Sequence, residues 1–325
     1  MRTETWETAQ FADVNSTPSQ RSDLFINAQG YDTRSTLIMN ELIQRGAYGD
    51  LIHLAFEDHQ SHKLIDQQYL TPEIETRKTI LCKRNHIEPF LSNIDAHIQR
   101  MLEHTTTLRV DIDYSSMPRK WYCHLATHLI SKYEDKLQLR FWYAEGCYKT
   151  HEKKEYPTAG TDQFEIFSGG PSLDQNRNRI HLIGIGFDGL RTNAIRAVMD
   201  PSNLIGCYAY NPDTPYMIKG IKQKNGAFLD SCLFHFSMSV CDFSSMLSRL
   251  TEFVMEMSPL GDIILVPDGP KPLILAMSLL PMIFPLPGLS CFHISGSTTR
   301  PLDIKATGKI FGFTNRCLLT DQGLQ

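Results

Sequence analysis

The sequence lacks the paired cysteines of a disulfide framework or a zinc ribbon. Its eight cysteines are scattered along the chain, and no two of them form a CxxC pair. Cys207 and Cys291 lie inside apolar runs, a position typical of a small buried hydrophobic residue. This spacing excludes a disulfide scaffold and a ribbon-type zinc site.

Several catalytic signatures are also missing. We expect neither a Walker loop nor a G-x-G-x-x-G fingerprint in this chain, and therefore neither a P-loop ATPase nor a dinucleotide-dependent enzyme. Ser115 and Ser116 lack the G-x-S-x-G turn of a nucleophilic serine. His124 and His128 are four residues apart, but the glutamate of an HExxH zinc motif is absent between them. We therefore assign no metal site and name no cofactor.

The chain has no strong excess of either charge. It carries 32 Lys and Arg against 36 Asp and Glu, for a formal net charge of −4, which argues against sequence-independent coating of DNA. Residues 1–22 are polar, without the apolar core of a signal peptide. Residues 273–292 are uncharged, but three prolines interrupt them, so we expect a buried helix, a turn and a strand there. These patterns predict a cytoplasmic protein that does not enter a membrane.

Short apolar runs alternate with segments of helical periodicity, the pattern of a parallel α/β sheet. The first half predicts helices between strands at residues 23–28, 50–56, 108–113 and 137–143, with a further helix start at Thr71 and Pro72. The second half predicts the same order around strands at residues 180–185, 203–209, 262–266 and 289–294. A short strand at residues 309–313 follows.

The two halves resemble each other in the loop after their first strand, GYDTRS at residues 30–35 and GFDGLR at residues 186–191. Gly30 precedes Asp111 by 81 residues, and Gly186 precedes Ile264 by 78. Any α/β chain cut in two has some apparent repetition, but the matched spacing favours duplication. The predicted fold class is α/β, with two tandem Rossmann-like parallel-sheet units that form an intramolecular pseudo-dimer.

The predicted domain boundaries follow from this pattern. They are a polar tail at 1–22, a first unit at 23–143, a connecting segment at 144–179, and a second unit with the C-terminal strand at 180–325.

Four loops are predicted at the carboxyl ends of the strands, where open parallel sheets bind ligands. They span residues 30–34, 113–119, 186–191 and 268–271, and each combines a carboxylate, a cation, and a glycine or proline. A helix N-terminus beside a cation favours an anion such as phosphate. The alternative for each loop is ordinary, since the aspartate can cap a helix and pair with the basic residue.

The candidate ligand-binding residues come from these loops. The cations expected to contact phosphates, and to converge if the halves face each other, are Arg34, Arg119, Arg191 and Lys271. The carboxylates expected to orient them, or to bind ribose and base, are Asp32, Asp113, Asp188 and Asp268. The remaining candidates are Tyr31 and Phe187, which can stack on bases, together with Ser115 and Ser116.

A catalytic alternative uses the same edge of the first sheet. Asp111 and Asp113 lie on one face of a strand and could bind magnesium or act as an acid–base pair. The protein would then be a hydrolase that cleaves a phosphodiester or N-glycosidic bond. Alternatively, Asp111 pairs with Arg109 or another neighbour and only stabilises the strand.

The tandem units, with a ligand loop after each first strand and a Gly269-Pro270-Lys271 turn before a late helix, resemble the CRISPR-associated Rossmann-fold sensors. Their fusion in one chain is similar to the SAVED sensors of bacterial anti-phage systems. The usual Gly-Thr-Lys run of that family is Gly-Pro-Lys here, and its first-half counterpart is Met117-Pro118-Arg119.

The resemblance implies a cyclic oligonucleotide or nucleotide ligand, a role in bacterial defence or stress, and a protein effector in trans, since the chain has no room for a fused one. A third alternative is a non-catalytic subunit of a multi-protein defence complex.

Overall fold

The chain folds into two compact units. The structure is a computed structural model that describes residues 4–9, 21–30, 34–44, 46, 48–57, 77–83, 86–147, 164–170, 176–295 and 304–317. Unit 1 comprises residues 1–148 and 302–325, and unit 2 comprises residues 149–301. The chain therefore leaves unit 1, forms unit 2 and returns to unit 1.

Unit 1 begins with strands and helices in alternation. Its first elements are β1 (Glu4–Ala9), β2 (Ser22–Ala28), α1 (Arg34–Gln44), β3 (Tyr48–Phe56), β4 (Arg77–Cys82), α2 (Glu88–Leu102), β5 (Leu108–Asp113), α3 (Arg119–Tyr133) and β6 (Leu137–Cys147).

Unit 2 follows the same alternation. Its elements are β7 (Phe164–Gly169), β8 (Arg179–Ile185), α4 (Gly189–Met199), β9 (Asn203–Tyr210), α5 (Tyr216–Lys224), α6 (Gly226–Asp230), β10 (Phe234–Ser239), α7 (Phe243–Met257), β11 (Asp262–Val266), α8 (Lys271–Ile283) and β12 (Leu289–Ile294). The last described strand of the chain is β13 (Lys305–Cys317).

Both sheets have the same strand order in their parallel part. The described strands of unit 1 run β1-β13-β6-β5-β2-β3-β4, and those of unit 2 run β10-β9-β8-β11-β12-β7. Numbered along the chain within each unit, β2–β6 and β8–β12 each give the Rossmann order 3-2-1-4-5, with an antiparallel strand beside the fifth. The fold class predicted from the sequence, α/β with two Rossmann-like units, is confirmed.

The C-terminal strand differs from its predicted place. β13 pairs antiparallel with β6 through one edge and with β1 through the other. Both β1 and β13 therefore belong to the sheet of unit 1. The predicted boundaries place this strand in the second unit and residues 1–22 in a tail. The local sequence of a strand does not show which distant strand it will pair with, because this pairing depends on which sheet edge is open in the folded protein. Likewise, β7 lies in the predicted connecting segment but forms the edge of the unit 2 sheet.

The strands β5, β11 and β12 match the bounds predicted from the sequence. α3 spans Arg119–Tyr133, and Asp242 caps α7 by accepting a hydrogen bond from the Ser245 backbone N–H at 3.0 Å. β4 and β10 are absent from the prediction, because RKTILC and FHFSMS contain too few consecutive apolar residues. The helix start predicted at Thr71 and Pro72 lies outside the described residues.

The long uncharged segment is part of unit 2. Residues 273–292 form most of the buried helix α8, a turn and the first part of β12. No helix within the described part of the chain is long and apolar enough to cross a membrane.

Candidate functional site

Each sheet has a topological switch point between its first and fourth strands, where the following helices lie on opposite faces. In unit 1 this point lies between β2 and β5, and in unit 2 between β8 and β11. The four predicted ligand loops follow these four strands directly. We describe each unit separately.

In unit 2 the two loops touch through glycine backbone. A Cβ atom added to Gly186 would lie 2.8 Å from the Cα of Gly269, and one added to Gly184 would lie 2.8 Å from the carbonyl oxygen of Asp268. Gly269 has a positive φ of 96°, a conformation that favours glycine. These positions therefore allow the two loops to pack at van der Waals distance.

Arg191 and Asp268 connect the same loops through an ion pair. The Arg191 Nε donates to Asp268 Oδ1 at 3.1 Å, and its Nη2 donates to the backbone carbonyl of Ile294 at the end of β12. Both side chains are buried. The Arg191 guanidinium, predicted from the sequence to bind phosphate, thus forms hydrogen bonds with protein groups. Arg191 therefore connects the carboxyl ends of β8, β11 and β12.

Asp188 caps the helix that follows the first strand of unit 2. Its Oδ1 accepts a hydrogen bond from the Arg191 backbone N–H at 3.0 Å. Phe187 is half-buried, packs against the hydrophobic cluster of unit 2, and faces Gly220 of α5. Phe187 therefore has a structural contact on one side of its ring.

Unit 1 has a corresponding close approach. A Cβ atom added to Gly30 would lie 2.5 Å from the Cβ of Ser116, so the loops after β2 and β5 also touch. Asp113 Oδ1 accepts from the Ser115 backbone N–H at 2.9 Å, and the Ser115 Oγ accepts from the Ala144 backbone N–H at 2.8 Å. The Ser115 hydroxyl oxygen thus links the β5 loop to β6.

Arg34 occupies the same place in unit 1 as Arg191 in unit 2, in the first turn of the helix after the first strand. It is buried, and its Nη1 would lie 3.1 Å from a Cβ added to Gly146 near the end of β6. Both arginines therefore cross toward the fifth strand of their sheet. Tyr31 and Asp32, two further predicted ligand residues, lie outside the described residues.

Arg119 and Lys271 form a second matched pair. Each is the first residue of the helix after the fourth strand of its sheet, each follows a proline, and each is half-buried. A cation at a helix N-terminus beside the switch point provides positive potential where a ligand crevice opens.

Asp111 lies deeper, inside the sheet of unit 1. It is fully buried, and the Nε and Nη2 of Arg140 donate to its two oxygens at 2.5 and 2.7 Å. Burial raises the pKa of the Asp111 carboxyl, and the Arg140 guanidinium and the side chains of Trp142 and Ser22 oppose that rise. Its partner is Arg140 on β6, and its oxygens face neighbouring side chains. No cluster of three metal-ligating side chains occurs within the described ranges.

Three tyrosine rings pack against one another beside the unit 1 loops. The ring of Tyr114 lies 5.3 Å from that of Tyr122 and 5.6 Å from that of Tyr143. Burial raises the pKa of the Tyr114 and Tyr122 phenols well above the ordinary value. These phenols stay neutral and contribute packing.

Unit 2 contains a motif that is absent from the predictions made from the sequence. Residues 184–189 read GIGFDG, which matches G-x-G-x-x-G with Gly184, Gly186 and Gly189. The motif spans the end of β8 and the start of α4 in a β8–α4–β9 unit. The expectation that the chain lacks a G-x-G-x-x-G fingerprint is therefore wrong.

Comparison with known proteins adds little. No family model and no curated protein matches the sequence. Among solved structures, the chain has a weak likeness to an N-terminal ketoreductase from a macrolactin assembly line, with 9% identity, a TM-score of 0.24, and coverage of 88% of this chain and 72% of that one. The ketoreductase from the first module of phoslactomycin biosynthesis in Streptomyces sp. HK803 gives 8% identity, a TM-score of 0.21, and coverage of 88% and 70%. Similarity at these TM-scores carries no argument about function.

Proposed function

We propose that the protein binds a nucleotide or an oligonucleotide at the carboxyl ends of its sheets. The observation that carries this proposal is the matched pair Arg119 and Lys271. Both units have a proline followed by a cation at the first residue of the helix beside the switch point. Phosphate is the ligand group that a helix N-terminus and an adjacent cation stabilise together.

The contacts of Arg34 and Arg191 refine the roles of the predicted residues. Arg191 has its guanidinium on Asp268 and on a carbonyl oxygen, so its role is to hold the loops in position. Arg34 takes the equivalent role in unit 1, because it lies buried against the end of β6. In this proposal Arg119 and Lys271 contact phosphate, and Asp113, Asp188 and Asp268 shape the loops.

We further propose that the protein acts with a separate effector protein in bacterial defence or stress signalling. The support is the resemblance of its tandem Rossmann-like units and its Gly269-Pro270-Lys271 turn to nucleotide sensors of that class. A hydrolase that uses Asp111 has no such support, since Arg140 occupies both carboxylate oxygens.

The test is a ligand panel. The full chain is mixed with mononucleotides, linear oligonucleotides and cyclic oligonucleotides, and its melting temperature is measured with and without magnesium. The same samples are then analysed by chromatography. A ligand at one hundred times its Kd stabilises the folded state by about 2.7 kcal/mol. A ligand-specific rise with the nucleotide intact supports the proposal. Consumption of the nucleotide indicates an enzyme, and no shift across the panel contradicts nucleotide binding and favours an assembly subunit.

A further inference from the structure

The turn between β8 and α4 carries the glycine motif that is typical of a diphosphate-binding site. The motif GIGFDG runs from the last two residues of the parallel strand β8 to the first residue of the eleven-residue helix α4, at the switch point of the unit 2 sheet. G-x-G-x-x-G in this context is the fingerprint for a pyrophosphate at the N-terminus of a helix. This agreement of motif and topology is more specific than a helix N-terminus alone.

A side chain is excluded at each glycine of this turn by a different neighbouring group. Gly184 and Gly186 pack against the loop at Asp268 and Gly269, and a Cβ on Gly189 would clash with the backbone carbonyl of Lys224. The third glycine therefore brings the start of α4 against the end of α5. This is the close packing that the last glycine of the fingerprint provides.

The first turn of α4 retains donors for an anion. The Asp188 carboxylate accepts from the Arg191 backbone N–H. Within the described part of the chain, the backbone N–H groups of Gly189 and Leu190 have no hydrogen-bond acceptor. The Leu190 side chain is 67% exposed, so this turn is open to solvent. Two adjacent N–H groups at a helix N-terminus suit a phosphate oxygen.

A buried amide beside the turn is an independent sign of a missing polar partner. Asn225 is 1% exposed, and its Nδ2 donates to the carbonyl oxygen of Gly186 at 2.9 Å. Its Oδ1 is buried without a hydrogen-bond donor among the described residues. A buried acceptor without a donor is rare in a folded protein, and it indicates that a water or a ligand hydroxyl belongs beside this amide.

An acidic residue follows β9 where the fingerprint places its ribose contact. Asp213 follows the last residue of β9 by three positions and Gly189 by 24, close to the spacing of the acidic residue in the fingerprint. Its backbone N–H donates to the Asn211 Oδ1 at 2.9 Å, which fixes the turn, and its side chain is exposed. A carboxylate there accepts hydrogen bonds from ribose hydroxyls.

We infer that unit 2 binds the diphosphate of a nucleoside diphosphate or of a dinucleotide at the β8–α4 turn, with its ribose at Asp213. This inference rests on the proposed nucleotide binding and names the ligand class for one unit. Lys271 lies two residues after Gly269, which touches Gly186, and it adds positive charge on the adjacent loop.

The test compares ADP, AMP and cyclic di-AMP by isothermal titration of the full chain. We expect ADP to bind at least about tenfold more tightly than AMP, because only ADP carries the diphosphate that both N–H groups bind. Leu190→Glu places a carboxylate beside the turn and should weaken ADP binding by at least about tenfold. Val198→Glu is the matched control, since Val198 is a 47% exposed apolar residue at the other end of α4.

The outcomes separate this inference from the broader proposal. If cyclic di-AMP binds and ADP does not, the diphosphate site is contradicted while nucleotide binding stands. If no nucleotide binds, both are contradicted. If Leu190→Glu and Val198→Glu leave ADP binding equal, the ligand lies elsewhere and the assignment to α4 is overturned. The melting temperature of each variant without ligand shows that the fold is intact.

Discussion

The two units share one strand order but place their ionic groups at different depths. In unit 1, Asp111 on β5 pairs across the sheet with Arg140 on β6. At the matching register of unit 2, Ile264 on β11 lies beside Ser290 on β12. The ion pair of unit 2, Arg191 with Asp268, lies instead at the strand ends. One topology thus tolerates an ion pair at this register in unit 1 and an uncharged pair in unit 2.

A second position shows the same contrast. In unit 1 the buried Asn27 Oδ1 bonds to the Nδ1 of His53 on the next strand at 2.9 Å. The corresponding register of unit 2 pairs Ile183 with Gly206. A buried polar pair costs desolvation and stabilises only when both partners are present. We therefore expect the stability of unit 1 to fall more than that of unit 2 when a single polar side chain in the sheet interior is replaced.

The largest effect is expected for Asp111→Ile alone. It leaves the buried Arg140 guanidinium without its carboxylate and should lower the free energy of unfolding by about 3–5 kcal/mol. The double variant Asp111→Ile with Arg140→Met makes this position uncharged, as it is in unit 2, and should recover most of the loss. Urea unfolding of both variants measures the difference. Equal destabilisation in the single and double variants would show that the ion pair is not the cause.

A smaller effect is expected for Arg191→Met in unit 2. It removes the hydrogen bonds to Asp268 and to the Ile294 carbonyl, and charged hydrogen bonds of this kind contribute about 1.5–3 kcal/mol. Arg196→Met, an exposed arginine on the same helix, is the control and should change stability by less than about 0.5 kcal/mol. Thermal unfolding checks both. Similar losses of stability in the two variants would contradict the role of Arg191 in connecting these strand ends.

The smallest effect is a pH dependence in unit 1. The Nε2 of His97 on α2 contacts Asp50 on β3 at 2.8 Å, while α7, the matching helix of unit 2, buries an apolar face. Burial lowers the pKa of His97 below its ordinary value of 6.5, and Asp50 only partly opposes this. Below pH 6.5 the unfolded chain binds a proton that the folded chain does not, so stability falls. Above that pH the full stability is present.

The His97→Gln variant isolates this effect. It should flatten the fall in the free energy of unfolding between about pH 7 and pH 5, where one histidine accounts for at most about 1.4 kcal/mol per pH unit. Urea unfolding at several pH values measures the slope. An unchanged slope in the variant would show that the proton binds elsewhere.

The sequence predicts four of the five parallel strands of each sheet, because most of these strands are nearly continuous apolar runs, and it misses β4 and β10. β11 and β12 match their predicted bounds exactly as DIILV and LSCFHI. The place of β13 depends on an open sheet edge far away in the chain, which no local pattern records. The partner of Arg191 is 77 residues away, so its structural role is visible only in three dimensions. The GIGFDG motif, in contrast, is fully present in the sequence.

The central claim is that Arg119 and Lys271 bind phosphate at equivalent places in the two units. The most direct measurement is the Kd of the tightest panel nucleotide for the wild-type chain and for the Arg119→Glu and Lys271→Glu variants. The Arg196→Glu variant is the matched charge control. We expect each of the first two reversals to weaken binding by at least about tenfold, and the control to leave it within about twofold. Unchanged affinity in both site variants would contradict the claim.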